Sequence, residues 1–381
     1  MKALFLVNGT GMGHLTQTFS LVELFAQQGV PLTPVAVMVT NCSPPKLALL
    51  QEYYQCPIVA APSLRFHMDA AGEISPVRTA WGSLGDLGKC WQSVARLHAL
   101  IAETKPDVVI NFYEALGGFY HLRYRTPTPW IAVAHQYMVH HPSYLRYARF
   151  HPQRQVLKWL TRLTGFGSML RVAMSFYPAE SHGNIFVTAP LLRQNVLAAT
   201  PQTGDSLLCY LNNGTHLPKL VRYCERHPSQ PVKCFCPDQL AAVPANLEMH
   251  RPNLARYIAE LIRCRGLIAT SGFESVAEAA VLGKPVVVIP LKNQLEQELN
   301  ARDAVGQRIV LRAVAPDAEL PDVEWQSLRP LGEYRQFVIR ENQRLCNHLH
   351  QFLQPNPASA PCCQDVTKSP PVCGLPTATY D

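Results

Sequence analysis

The chain has 381 residues, of which 48% are hydrophobic and 16% charged, with a formal net charge of +7 at pH 7. This length accommodates two α/β domains of ordinary size, and the apolar content excludes a disordered body. The positive charge is spread along the chain without a zinc-finger, helix-turn-helix or RNA-recognition signature, so nucleic acid is not an expected partner. A mild positive charge suits small anionic ligands or an anionic membrane surface instead.

The chain begins with a predicted strand and a glycine-rich loop. Residues 3–7 are all apolar, as expected of a parallel strand covered on both faces. The loop at 8–14 has the spacing G-x-G-x-G, and no acidic residue stands about twenty positions further on, so a nicotinamide cofactor is not expected. The loop opens a helix, which puts Gly11, Gly13 and His14 at a strand-to-helix junction.

Strands and helices then alternate through the first half of the chain. The pattern predicts strands at 33–39, 57–60, 107–111 and 130–134, and helices at 45–54, 89–104 and 115–124. Such alternation is typical of a parallel sheet. The last of these strands is followed by His135, at the edge where open α/β sheets bind ligands. His135 is therefore either a residue of the cleft or a structural side chain satisfied within the fold.

Residues 146–171 combine basic and aromatic side chains. Arg154, Lys158 and Arg162 fall at i, i+4 and i+8, which makes one basic stripe on a predicted amphipathic helix. Such a helix can lie on an anionic bilayer. An ordinary surface helix has the same pattern when Arg and Lys stems cover apolar surface. The pattern leaves both interpretations open.

The second half of the chain predicts another α/β domain. The expected divisions are a first domain at 1–193, a linker at 194–205, a second domain at 206–353 and a tail at 354–381. The second domain opens with a strand at 207–211 and a polar turn that contains Asn213, Gly214 and Thr215. A long, well patterned helix at 333–353 closes it.

Several features bear on location. The tail has six Pro and three Cys and few large apolar residues, so we expect it to be disordered. No apolar run approaches the ~18 residues of a membrane span, and the run after Lys2 is too short for a signal peptide. We expect a cytoplasmic protein whose twelve cysteines are mostly reduced. The Cys234 and Cys236 pair lacks partners for a zinc site.

The segment 270–301 is the most informative. A short apolar strand at 266–269 leads into a Ser271-Gly272 turn, a helix, and a β-branched strand at 286–289. The unpaired N–H groups of the first helical turn therefore point outward just beyond the sheet edge. Such groups suit a phosphate.

This segment resembles the donor-nucleotide signature of glycosyltransferases with the GT-B fold, of the MurG-like and UDP-glucuronosyl/UDP-glucosyltransferase-like families. The matching residues are Ser271-Gly272, Glu278, Gly283-Lys284-Pro285, Asn293-Gln294-Leu295-Glu296-Gln297 and Asn300-Ala301. The N-terminal loop is similar to the Gly-Thr-Gly-Gly-His loop of MurG-like enzymes, with Met12 where that pattern has Gly. The resemblance implies an α/β protein with two facing Rossmann-like domains, parallel sheets and a cleft between them. The alternative is an unrelated strand–helix–strand unit.

The resemblance also implies a donor site in the second domain. The donor diphosphate would be bound by Asn213, Gly214, Thr215, Thr270, Ser271, Gly272 and Ser275. Glu278 would accept hydrogen bonds from the ribose hydroxyls. The sugar hydroxyls would be read by Gln294, Glu296 and Gln297. Glu274, on the same helix face as Glu278, is either a residue of the phosphate region or an acid stabilised by the helix dipole.

In the first domain the resemblance implies an acceptor site. Gly11, Gly13 and His135 would contact the acceptor, and His14 would act as general base. An imidazole at a helix N-terminus tends to stay neutral, as a base must be. The departing diphosphate would be stabilised by helix N-termini, so no obligatory metal and no permanently bound cofactor are expected.

The expected function is transfer of a hexosyl or N-acetylhexosaminyl unit from a UDP-sugar to an acceptor hydroxyl, with inversion. A lipid-linked saccharide, a glycolipid or an envelope polysaccharide precursor would be the acceptor, at the inner face of the plasma membrane. One alternative is a nucleotide-sugar 2-epimerase of the same fold, although the loop lacks the Gly-Thr-Arg-Pro-Glu start of those enzymes. The other is a non-catalytic sugar-nucleotide-binding protein.

Overall fold

The computed structural model describes most of the chain. The described residues are 1–64, 76–142, 144, 153–327, 330 and 332–354, without the side chains of 76–84. Residues 146–152 of the predicted basic segment and 355–381 of the predicted tail lie outside them. Within the described part, two parallel sheets form two α/β domains.

The first sheet has seven strands among the described residues. They are β1 Lys2–Asn8, β2 Thr33–Thr40, β3 Ile58–Ala61, β4 Val108–Phe112, β5 Trp130–Ala134, β6 Leu170–Met174 and β7 Ile185–Thr188. Their order is β3-β2-β1-β4-β5-β6-β7, and neighbouring strands are parallel. The five predicted strands agree with β1 to β5 within one residue at either end, and β4 and β5 are buried along their whole length. The strand β6 was not predicted.

Helices cover this sheet on both faces. They are α1 Gly13–Gln27, α2 Pro44–Tyr53, α3 Pro76–Thr104, α4 Ala115–Arg123 and α5 Arg154–Thr164, with a 3-10 turn at His135–His140. The predicted helix at 89–104 is only the second half of α3. Gly85 and Gly88 lower the helical propensity there by about 1 kcal/mol each, which hides the first half in the sequence.

The second sheet has six parallel strands in the described part, ordered β10-β9-β8-β11-β12-β13. They are β8 Leu207–Tyr210, β9 Val232–Phe235, β10 Leu247–His250, β11 Gly266–Ala269, β12 Val286–Val288 and β13 Arg312–Ala313. The helices are α6 Gln194–Leu197, α7 Leu217–Arg226, α8 Leu254–Arg263, α9 Phe273–Val281, α10 Leu295–Gly306 and α11 Glu333–Leu353. The short α6 lies within the predicted linker, where it buries Val196 and Leu197.

In each sheet the strand order reverses beside the first strand of the domain, between β1 and β4 and between β8 and β11. Open α/β sheets bind ligands beyond the carboxyl ends of the strands at such a point. The loops concerned are 9–12 after β1, 113–114 after β4, 211–213 after β8 and 270–272 after β11. Of the residues that the sequence singled out, these loops hold Gly11, Asn213, Thr270, Ser271 and Gly272, and several others lie in the helical turns that follow them.

The carboxyl ends of the two sheets face each other. Phe273, at the start of α9, stacks on His135 with ring centroids 3.9 Å apart and packs on Phe176 at 4.4 Å. Phe273 is buried by this contact, and burying a phenylalanine side chain stabilises by about 1.5–3 kcal/mol. An apolar contact therefore helps to hold the two domains together beside the cleft.

The terminal helix α11 returns to the first domain. Thr188 Oγ1 donates to the carbonyl of Glu341 (3.1 Å), and Asn342 Nδ2 donates to the carbonyl of Pro190 (3.2 Å). The helix also contacts α1 and α9. The chain thus crosses between the domains twice, once before β8 and once through α11.

Candidate active site

The glycine loop after β1 is pressed against β2. A Cβ atom on Gly9 would lie 2.4 Å from the carbonyl oxygen of Thr40, so only glycine fits there. Lys46 Nζ donates to the carbonyls of Gly9 (2.9 Å) and Thr10 (2.5 Å). These contacts fix the loop that leads into α1. Gly11 and Gly13, both predicted to contact the acceptor, are part of it.

His14 lies in the first turn of α1 and faces the cleft. Its ring stacks on Tyr113 with centroids 5.7 Å apart. Tyr113 follows β4 and has φ of 57°, a left-handed conformation that costs a non-glycine residue of order 1 kcal/mol and that recurs at active sites. Burial lowers the pKa of His14 to about 4, and its hydrogen bond with Gln17 acts against that shift. The imidazole is therefore neutral at pH 7 and can accept a proton.

Gln17 connects His14 to the second domain. Its Oε1 lies 3.3 Å from His14 Nδ1, and its Nε2 donates to Glu274 Oε1 at 2.5 Å. Glu274 stands in the first turn of α9, where a Cβ atom on Gly13 would lie 3.1 Å from its Cγ. Burial raises the pKa of Glu274 to about 8; Gln17 opposes this rise, and Glu278 adds to it. The N-termini of α1 and α9 meet here.

Glu278 lies one turn further along α9, and it is 4% exposed. Arg193 forms an ion pair with its Oε1, and the Nε atom of Arg193 donates to the same oxygen at 3.1 Å. Arg193 is itself buried, in the segment that joins the domains. The carboxylate that the resemblance assigns to the ribose is therefore held by a cation from the segment that joins the domains.

The turn between β11 and α9 has the predicted strand-to-helix form. Ser271 Oγ donates to the carbonyl of Gln297 (2.8 Å), and the amide of Gly272 donates to the carbonyl of Thr270 (2.7 Å). Gly272 is the N-cap of α9, and Ser275 lies in its first turn. The hydroxyl of Thr270 is buried without a hydrogen-bond partner within the described part of the chain.

The polar turn after β8 is held from a neighbouring loop. Asn213 Oδ1 accepts from the amide of Thr215 (3.1 Å), and the amide of Gly214 donates to Asp238 Oδ2 (2.6 Å). Asp238 follows β9, and no sequence pattern pointed to its role. Asp238 thus accepts a hydrogen bond from the Gly214 amide, which was predicted to bind the donor phosphates.

His135 is a bridge between the domains. Its Nδ1 lies 2.6 Å from the carbonyl of Met174, and its Nε2 lies 3.0 Å from the hydroxyl of Tyr144 and 2.8 Å from Asn300 Oδ1. Burial lowers its pKa to about 4, and its hydrogen bonds to Met174 and Asn300 act in the other direction. Both ring nitrogens thus have protein partners, as in the structural interpretation of this residue.

The polar segment before α10 also joins the domains. Gln136 Nε2 donates to Glu296 Oε1 (2.9 Å), and burial raises the pKa of Glu296 to about 7. The side chain of Gln297 accepts from the amide of Leu291 (2.9 Å) and so shapes the loop after β12. Gln294 is the N-cap residue of α10. Among the described residues, no three His, Cys, Asp or Glu side chains are grouped so that they could hold a metal ion.

Comparison with known proteins identifies this arrangement. The sequence model of glycosyl transferase family 1 matches residues 1–311. The chain belongs to glycosyl transferase family 1. No curated protein matches it significantly. The family expected from the strand–helix–strand segment is confirmed, and the protein is a glycosyltransferase.

Solved glycosyltransferases share the fold of this chain. Arabidopsis thaliana UGT89C1 with UDP-L-rhamnose has a TM-score of 0.62 and 15% identity over 92% of this chain and 98% of that one. LpCGTa in complex with UDP has a TM-score of 0.60 and 14% identity over 93% and 99%. The glycotransferase of kitacinnamycin has a TM-score of 0.60 and 16% identity over 92% and 98%. At these identities the likeness concerns the fold alone, and it confirms the GT-B architecture.

Proposed function

We propose that this glycosyltransferase transfers a hexosyl or N-acetylhexosaminyl unit from a UDP-sugar to an acceptor hydroxyl with inversion. The observation that carries the proposal is His14, a neutral imidazole at the carboxyl edge of the first sheet, opposite the N-terminus of α9. Two of the solved structures with this fold contain UDP or UDP-L-rhamnose, which supports a uridine donor. Residues 1–193 would carry the acceptor, and 206–353 the donor.

The proposed chemistry needs one base and one anion site. His14 takes the proton of the acceptor hydroxyl, and that oxygen forms a bond to the anomeric carbon from the face opposite the diphosphate. The bond between the anomeric carbon and the diphosphate oxygen breaks, and UDP leaves with the electron pair. Amide groups at the start of α9, with that of Asn213, stabilise the negative charge on the diphosphate. The amides of Gly214 and Thr215, also predicted for this role, already donate to Asp238 and Asn213.

Glu278 is the proposed ribose ligand. Both hydrogen bonds from Arg193 fall on its Oε1, so we assign Oε2 to the ribose hydroxyls. Gln294 and Glu296 are proposed to bind the sugar hydroxyls, whereas the side chain of Gln297 supports the loop after β12. Glu296, with its raised pKa, can donate as well as accept a hydrogen bond near neutral pH.

A panel of nucleotides tests the donor. We expect the UDP forms to raise the thermal unfolding midpoint and the GDP, dTDP and CMP forms to leave it nearly unchanged. At a ligand concentration of about 100 Kd the stabilisation is about 2.7 kcal/mol. Glu278→Gln should lose most of the UDP shift, since the amide keeps the shape of the side chain but cannot accept at both positions.

Glu319→Gln is the matched control, because Glu319 is an exposed residue of the same domain, paired with Arg222. It should keep the full UDP shift. A panel without any shift would contradict the uridine donor, and so would an equal shift with all four bases. A shift that Glu278→Gln leaves intact would contradict the ribose assignment alone.

We further propose a lipid-bearing acceptor, reached at a membrane surface. Val156, Trp159 and Met169 are each 60% exposed, and Phe166 is 46% exposed. We call these four residues the α5 surface. They fall within fourteen residues of the chain, and exposed apolar side chains grouped in one patch are unusual in a protein without a partner. Arg162, in the last turn of α5, adds positive charge beside them. Among the described residues, no helix has the length and apolar character needed to cross a bilayer.

Cosedimentation with vesicles tests the α5 surface. The protein should bind phosphatidylglycerol vesicles and bind phosphatidylcholine vesicles much more weakly. Arg162→Gln should weaken binding to the anionic vesicles about fivefold, since one charge near the surface contributes about 1 kcal/mol. Trp159→Ser should weaken binding to both kinds of vesicle, because it removes apolar area from the contact.

Leu240→Ser is the control, since Leu240 is an exposed apolar residue of the second domain. It should not affect binding. Equal binding to the two vesicle types, or binding that Trp159→Ser leaves unchanged, would contradict a role for the α5 surface at an anionic membrane.

A further inference from the structure

Gln17 is a buried amide whose two ends lie on groups that titrate. The side chain is 3% exposed, and burying an amide is unfavourable unless both of its ends find hydrogen-bond partners. One end lies against His14 Nδ1, in the same helix, and the other against Glu274 Oε1, across the cleft. The three side chains form one chain of hydrogen bonds from the first domain to the second.

The direction of this chain follows from the chemistry of its ends. An ionised carboxylate can only accept, so the NH₂ group of Gln17 must face Glu274. The carbonyl oxygen of Gln17 then faces His14, and Nδ1 must carry the hydrogen to bond to it. In a neutral imidazole the lone pair is then on Nε2, the nitrogen on the far side of the ring from Gln17.

We propose that Glu274 acts through Gln17 as the positioning residue that holds His14 in the tautomer with its lone pair on Nε2. The inference rests on the proposed role of His14 as the base. Since Glu274 belongs to the second domain, it can hold His14 in this tautomer only when the two domains meet. Base and donor site are thereby assembled by the same closure.

Contacts on both sides support this coupling. Gly13 lacks a side chain where a Cβ would approach Glu274 Cγ to 3.1 Å, so the first turns of α1 and α9 can meet. The charged and titratable groups that act on Glu274 are Glu278 on its own helix, Arg193 from the connecting segment and, through Gln17, His14 on α1. The positive ends of two helices favour a carboxylate at this place, while burial opposes it.

Protonation of Glu274 weakens the preference of His14 for the Nδ1–H tautomer. A neutral carboxylic acid can also donate, so the amide of Gln17 can reverse and His14 can take the other tautomer. The pKa of Glu274 is about 8, so the Nδ1–H tautomer should become more populated as the pH rises from 7 to 9. In Glu274→Gln this dependence on pH should disappear, because an amide does not titrate in that range.

The test is a long-range ¹H–¹⁵N NMR spectrum of the full-length protein with ¹⁵N-labelled histidine, in which His14→Gln assigns the signals of His14. At pH 9 we expect a protonated Nδ1 and an unprotonated Nε2. Gln17→Leu and Glu274→Ala should each shift His14 towards the Nε2–H tautomer. Gln27→Leu, at the exposed end of α1, is the matched control and should leave the signals unchanged.

Activity provides the second readout. Glu274→Ala should lower kcat about tenfold or more with little change in KM for the donor, since a misdirected base loses part of its contribution to the rate. An Nε2–H tautomer in the unmodified protein, or a tautomer that Glu274→Ala leaves unchanged, would overturn the inference. Full activity in His14→Ala would instead overturn the proposed function. The tautomer measured by NMR would remain valid, because it does not depend on whether His14 is the base.

Discussion

His14→Ala should lower kcat by about 10²- to 10⁴-fold while the affinity for UDP stays within about threefold of the original. A general base contributes a rate factor of that size when it takes the proton of the attacking hydroxyl. His14 contacts Gln17 and Tyr113 of the first domain and reaches the donor domain only through Gln17, so its loss should have little effect on UDP binding. Steady-state kinetics and calorimetric titration with UDP measure the two quantities.

The control is His182→Ala, because His182 is exposed and its backbone pairs with that of Ile185. It should leave kcat unchanged. If His14→Ala kept its turnover, His14 would not be the base. If neither protein turned over any donor while both bound UDP, the interpretation as a non-catalytic sugar-nucleotide-binding protein would be favoured.

Arg193→Met should destabilise the protein by about 3–5 kcal/mol. The substitution leaves the carboxylate of Glu278 buried without its partner, and an unpaired buried charge carries a cost of this order. Both side chains of the pair are almost completely buried, at 6% and 5% exposed. Urea unfolding followed by circular dichroism measures the change through the midpoint of the transition.

Two further variants separate the charge from the packing. Arg222→Met removes a cation of the same type from the exposed pair with Glu319 and should have a much smaller effect. The double variant Arg193→Met/Glu278→Leu removes both buried charges and should recover much of the lost stability. A loss in Arg193→Met no larger than in Arg222→Met would contradict a buried, tightly coupled pair.

The strands made of short, continuous apolar runs could be read from the sequence because their signal is local, whereas β6, β10 and β13 were not predicted. Val108–Phe112 and Trp130–Ala134 are short runs in which every side chain is buried, and such runs are visible without knowledge of the partner strands. The helix α11 was predicted with its observed bounds, because it is long and has a clear apolar stripe. The first half of α3 was missed because Gly82, Gly85 and Gly88 interrupt the pattern.

The candidate site was predictable only in part. The strand-to-helix turns could be located, since they follow from where apolar runs end. The pairs Gln17–Glu274 and Arg193–Glu278 are 257 and 85 residues apart in sequence, and no local pattern connects such positions. Gln17 alone carried a usable signal, because it lies three residues after His14 and therefore on the same face of the helix.

The double crossing of the chain limits how the cleft can open. Two rigid bodies joined by one flexible segment can twist and tilt in any direction, whereas two adjacent connections leave chiefly a swing about the line through them. The connections here are the segment before β8 and the helix α11, which bonds to the first domain at Thr188 and Pro190. The two domains would therefore open by rotating about one hinge axis that runs through the two connections. Each closure would bring the two domains back to the same relative orientation. A substrate then need not select one orientation among many when it binds.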